Sequence, residues 1–144
     1  MGFLQPKTHN DAVTLLASAA RTAATGDGSA VKLPALINAA AFTLDVTVDE
    51  STTADKLDVF VQTKLDGTNW TDVAHFTQHD GDAGAERYVT KITADGAEAE
   101  FLNSAALAEA SIRDLFGDEW RVRWAITDDS GSASYTFSVS ACPM

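Results

Sequence analysis

The chain has one cysteine, Cys142, among 144 residues. One cysteine makes no internal disulfide, so the fold is expected to hold without an oxidising compartment. Basic residues are scarce, with ten Lys and Arg against 21 Asp and Glu, for a formal net charge of -11. Nucleic-acid binding needs phosphates neutralised by cations, so this balance argues against it. It argues equally against an anionic membrane surface. No apolar run is long enough to span a bilayer. The first residues, MGFLQPKTHND, lack a basic stretch followed by an apolar one, so no secretory signal is expected. Synthesis and first folding in a cytoplasm follow. There is no GxxxxGKS, no GxGxxG, no HExxH and no Gly-x-Ser-x-Gly. No enzyme, cofactor or metal is therefore expected.

Hydrophobic residues make up 45% of the chain. That supports a real core in a single domain. Residues 1–11 are polar and read as an N-terminal arm, and residues 12–144 as the domain. The strongest local signal is Leu57 to Phe76. Two runs rich in β-branched and aromatic residues flank Asp66-Gly67-Thr68-Asn69, which predicts a hairpin. A loop of about four residues sets Leu65 against Trp70, Val61 against Ala74 and Val59 against Phe76, all apolar pairs. Phe42–Val48 and Glu119–Thr127 alternate with period two, as does Ser134–Ala141. Arg87–Thr93 is a further strand, and Ala30–Leu33 a short one stopped by Pro34. Residues 12–25 fit a helix or a strand, with strand preferred for the alternation of Val13, Leu15 and Ala17. Gly26–Ser29 reads as a turn. Residues 103–117 predict the one helix, capped by Asn103 or Ser104 and stopped by Gly117. The sum is an all-β antiparallel sandwich or jelly roll of about eight strands with one short helix near 104–116. All three tryptophans take inward parities.

Four groups carry possible chemistry. His75 and His79, with Asp80 and Asp82 beyond, suggest a metal site, but four residues of strand span some 13 Å. Surface or structural histidines are the better expectation. The Asp-Gly loops at 66–67, 80–82, 95–96 and 128–131 offer oxygen ligands, but turn chemistry explains them without calcium. Arg121 and Arg123 share the outward parity of their strand. They fit contacts to an acidic neighbour or local pairing with Asp and Glu. Phe60, outward beside Val73 across the hairpin, fits either a subunit contact or a position covered by the helix or the arm.

Leu57-Asp58-Val59, Val61-Gln62, Asp66-Gly67, Trp70, Asp72-Val73 and Phe76-Thr77-Gln78 form one pattern. Arg121-Val122-Arg123-Trp124 with Thr136-Phe137-Ser138-Val139 form another, and the earlier LLASAARTAATGDGSAVKL, residues 15–33, joins them. Together they resemble a family of small structural proteins of tailed bacteriophages, over most of the chain from about Leu15 to Ser140. Lys64, where a small polar residue is usual, departs from it, as does the insert at 97–116. The resemblance implies a non-enzymatic virion protein, most like a capsid decoration or cement protein. It implies the major capsid protein and other copies of the chain as partners, a trimer being natural, and a place on the capsid surface. Phe60, Val73, Arg121 and Arg123 are the candidate contacts. The hairpin is also similar to Asp-Gly-x-x-Trp turns of sugar-binding sandwiches, which leaves a carbohydrate- or receptor-binding module as an alternative. A tail or neck component of the virion is another.

Overall fold

The computed structural model describes residues 11–34 and 37–144. All but Asp11 of the expected N-terminal arm lies outside them. The described residues form strands and loops with no helix. The strands are β1 (Val13–Arg21), β2 (Thr25–Asp27), β3 (Val31–Lys32), β4 (Ala39–Asp49), β5 (Lys56–Lys64) and β6 (Trp70–His75). They continue with β7 (His79–Asp80), β8 (Glu86–Thr93), β9 (Ser111–Ile112), β10 (Glu119–Thr127) and β11 (Tyr135–Pro143). One sheet runs β1-β11-β4-β8 and the other β2-β10-β5-β6-β9, with β3 on β10 and β7 on β5. Every pairing is antiparallel.

Period two puts alternate side chains between the sheets. Phe42, Leu44 and Val46 of β4 meet Leu57, Val59 and Val61 of β5 and Trp120, Val122 and Ile126 of β10 in one core. Tyr135, Phe137, Val139 and Ala141 of β11 complete it. Aromatic pairs tie the two layers. The Phe42 and Trp120 rings are 5.3 Å apart and those of Trp124 and Phe137 6.0 Å, both within the range such pairs prefer.

Four expectations need correction. Residues 103–117 are not a helix. Leu107 and Arg113 are drawn onto β6 instead. The Arg113 amide donates to the Val73 carbonyl at 2.8 Å, and its guanidinium lies 3.7 Å from the centre of the Phe101 ring. Packing overrides the helix propensity of the alanines. Gly117 is no helix stop: a Cβ there would collide with the Lys64 carbonyl, so glycine lets the chain cross β5 closely.

The hairpin register also differs. Val61 faces Ala74, but Lys64 rather than Leu65 faces Trp70, and Gln62 faces Asp72. A bulge between these pairs inserts Val73 as an extra residue in β6. The bulge flips parity toward the hairpin tip. Trp70 and Asp72 therefore lie on the outer face, and Leu65 is exposed. Trp70 is only half-buried, whereas Trp120 is wholly inside. Third, the turn expected at Gly26–Ser29 starts late, because Gly26 and Asp27 pair with Trp124 and Arg123 as β2. Fourth, Val48, expected to face inward, is exposed near the end of β4.

Ala110 has a φ of 58°, the left-handed region that costs a side-chain-bearing residue about 1 kcal/mol or more. Ala110→Gly should relieve it and stabilise the protein by up to about 1 kcal/mol. Thermal melts of the two chains check this, and a lower midpoint in the variant would contradict it.

Candidate functional site

The outer face of β10-β5-β6 carries a connected polar network. Its residues come from the outward parity of three adjacent strands, so their side chains lie side by side. Arg121 Nε donates to Gln62 Oε1 at 2.8 Å, and Gln62 Nε2 donates to Asp72 Oδ1 at 2.7 Å. Arg123 Nη2 donates to Asp72 Oδ2 at 3.3 Å. Arg121 also pairs with Asp27 of β2 at 3.6 Å. The Trp70 ring takes two cations, Arg121 at 4.5 Å and Lys64 at 4.9 Å. Beside it lies a cavity of about 320 Å³ lined by Gln62, Trp70, Asp72, Asn103 and Arg123, among others. Gln62 and Asp72 are buried at its floor.

Further along the same face, the Phe60 ring stacks on His75 at 3.9 Å and lies 3.9 Å under the Arg123 guanidinium. His75 Nε2 meets Asp58 Oδ1 at 2.9 Å, and Nδ1 meets the Leu107 carbonyl at 2.8 Å. Both partners can only accept, so both ring nitrogens must donate and His75 is an imidazolium in this arrangement. Burial alone would lower its pKa. The Asp58 and Leu107 acceptors outweigh that and raise it above the ordinary value. Asp58 is pushed up by burial but pulled down further by hydrogen bonds from His75 and Gln78, so it lies below the usual carboxylate range.

A second histidine sits inside the sandwich. His79 Nε2 meets Asp49 Oδ2 at 2.9 Å and Nδ1 meets the Tyr88 hydroxyl at 2.9 Å. Tyr88 donates in turn to Glu86 at 2.7 Å. Burial and the Glu86 carboxylate push the Tyr88 hydroxyl well above its usual pKa. A phenolate nucleophile is therefore hard to reach at the open end of this chain of bonds.

The sequence-derived candidates fall as follows. Phe60 is 5% exposed and Val73 0%, so neither offers an open contact surface. His75 and the Arg123 guanidinium cover Phe60, and the bulge turns Val73 into the core. Arg121 and Arg123 are half-buried and paired within the chain, to Asp27 and Asp72. His75 and His79 lie on opposite sides of their sheet and do not converge. No group of three or more His, Cys, Asp or Glu that could hold a metal occurs among the described residues. Two of the Asp-Gly carboxylates act in turns: Asp66 accepts from the amides of Thr68 and Asn69, and Asp128 from those of Gly131 and Ala133, whereas Asp80 pairs with Lys56 and Asp82 accepts from the Thr53 hydroxyl. Sequence reasoning missed Asp58, Gln62, Asp72 and Trp70 as one outer-face set. Their shared parity was visible in β5, but the bulge that brings Asp72 and Trp70 onto it was not.

Comparison of the chain with protein-family models, curated proteins and solved structures finds no match. The site must be read on its own geometry. That geometry is a sheet face whose scarce cations are each held over a ring or against a carboxylate. It can position flat or hydrogen-bonding groups.

Proposed function

We propose that this chain is a non-enzymatic structural protein of a tailed-phage virion, a decoration protein that docks on the assembled capsid and bridges its major subunits. The observation that carries this reading is where the resemblance falls in the fold. The segments bearing it, residues 15–33 included, are β1, β2, β3, β5, β6, β10 and β11, so it runs through strands of both sheets. The strand orders β1-β11-β4-β8 and β2-β10-β5-β6 are those of eight strands wound as two Greek keys, so the finer architecture proposed is a jelly roll. A rigid body of this kind can bridge neighbours without changing shape.

Binding only the assembled shell stabilises that shell by mass action. Many symmetry-related copies add avidity, and a trimer would suit local threefold axes. The arm at residues 1–11 is the proposed clasp. Its deletion should abolish shell binding while the thermal melt of the domain stays unchanged. As a test of the role, adding the protein to expanded empty heads should raise the temperature at which they fall apart, with saturation. Heads that are indifferent to it would count against decoration.

A second reading, a carbohydrate- or receptor-binding module, is favoured by one observation. Trp70 lies on the outer face beside a cavity with amide, carboxylate and guanidinium groups at hand. Glycans that quench tryptophan fluorescence in the native chain but not in Trp70→Phe would support it. A tail or neck component is the alternative within the same virion reading.

A further inference from the structure

Residues 94–110 run from β8 to β9 without strand structure, and 103–109 of them cross the outer face of β6. A connection this long inside a compact domain is usually functional. Its hold on the sheet is mostly polar. Asn103 Nδ2 donates to the Trp70 carbonyl at 3.2 Å, and the Leu107 amide approaches Asp72 Oδ2 at 3.5 Å. Glu109 accepts from the Gln78 amide at 2.7 Å. Leu107 is its single buried apolar side chain between residues 94 and 110, and Leu102 is 72% exposed. Segments with so little apolar burial open locally at low cost. At its C-terminal end Ser111 and Ile112 pair with β6 as β9, which fixes that end. Ala110, with its left-handed backbone, stands just before the fixed end and is a ready pivot.

The bond at the middle of this strap is the one from His75 to the Leu107 carbonyl. We infer that residues 101–109 form a proton-gated strap, closed over His75 and β6 while His75 carries two protons and released when it carries one. The reason is the pair of acceptors. A neutral imidazole keeps one N–H, and the Asp58 carboxylate is the stronger claimant. Nδ1 then presents a lone pair to the Leu107 oxygen at 2.8 Å, and an attractive contact becomes repulsive. The other groups facing the ring set the balance. Asp58 from β5 and Glu109 from the strap favour the charged ring, as does the Leu107 carbonyl. Arg123 from β10, across Phe60, opposes it but is itself neutralised by Asp72. Gln78 adds no charge and holds Asp58 in place. Ser111 of β9, paired to His75, brings only a hydroxyl.

The sign follows from linkage. Closing raises the affinity of His75 for its second proton, so protons favour closing. The strap is closed at mildly acidic pH and opens as pH rises through the raised value.

Amide exchange and proton NMR on the full chain between pH 5.5 and 9 test this. After correction for intrinsic exchange, protection of the Leu107 and Gln78 amides, which donate to Asp72 and Glu109, should fall about tenfold or more across a midpoint shared with the His75 ring protons. Exchange in β4 and β11 should show no such step. His75→Gln should remove the step. Asp58→Asn, which leaves the histidine in place, should move the midpoint to lower pH by about one unit or more. The inference is overturned if strap protection ignores the titration of His75, or if the step persists in His75→Gln. A step in Asp58→Asn at the native midpoint would overturn it too.

Discussion

Asp55→Asn should lower the thermal midpoint by on the order of 10 °C, although it changes one atom. Asp55 is fully buried in the loop between β4 and β5. Its Oδ1 accepts from the amides of Asp129 and Ser130 at 2.8 and 2.9 Å. Its Oδ2 accepts from the Thr52 amide at 2.9 Å and from the hydroxyls of Ser130 and Thr52. The carboxylate thus ties the β4–β5 turn to the β10–β11 turn. An asparagine amide, whichever way it is turned, points N–H groups at backbone N–H groups and leaves donors buried without acceptors. The hydrogen bond from the Thr52 amide is the main reason the Asp55 carboxyl lies far below its usual range, against the opposing effect of burial. A depressed carboxylate contributes stability that is present above its unfolded value near pH 4 and lost as pH falls below it. Asp66, held at about 2 chiefly by the Asn69 amide, loses its contribution in the same direction. Melts of the native chain should therefore worsen below about pH 4, and those of Asp55→Asn should worsen less. A variant melting within a degree or two of the native chain at pH 7 would contradict this account of Asp55.

The second large effect separates the tryptophans. Trp120 is 0% exposed and packs on Phe42 and on Phe116, whose ring centre is 4.7 Å away. Trp120→Ala leaves a cavity between the sheets and should cost about 3–5 kcal/mol. Trp70→Ala removes an outer-face ring and its two cation contacts, for about 1 kcal/mol or less. Denaturant melts of both variants measure the difference. Equal losses would mean that Trp70 belongs to the core, as its parity in an unbulged hairpin would have it.

That contrast shows what the chain discloses and what it conceals. Strands with clean alternation were legible: Glu119–Thr127 is β10 to the residue, and Tyr135, Phe137 and Val139 point inward as their spacing requires. Burying one face of a sheet enforces period two, so the pattern carries the structure. The bulge at Val73 left no such mark, because Val and Asp fit either side of an extra residue. It moved Trp70 and Asp72 to the outer face and with them most of the candidate site. The expected helix failed for a related reason. Its alanines satisfied local propensity, while Leu107 and Arg113 answered to contacts on β6 far away in sequence. His75 was expected to be a surface or a structural histidine and not a clamp, since its second acceptor comes from a segment expected to be helical.

The virion reading depends on docking to a finished shell. Co-sedimentation with expanded empty heads that carry no tail tests it most directly. The account expects the protein to pellet with these heads in a saturable ratio and to stay in the supernatant with unassembled capsid subunits. Protein that remains in the supernatant with the heads, or pellets only with isolated tails, would contradict it.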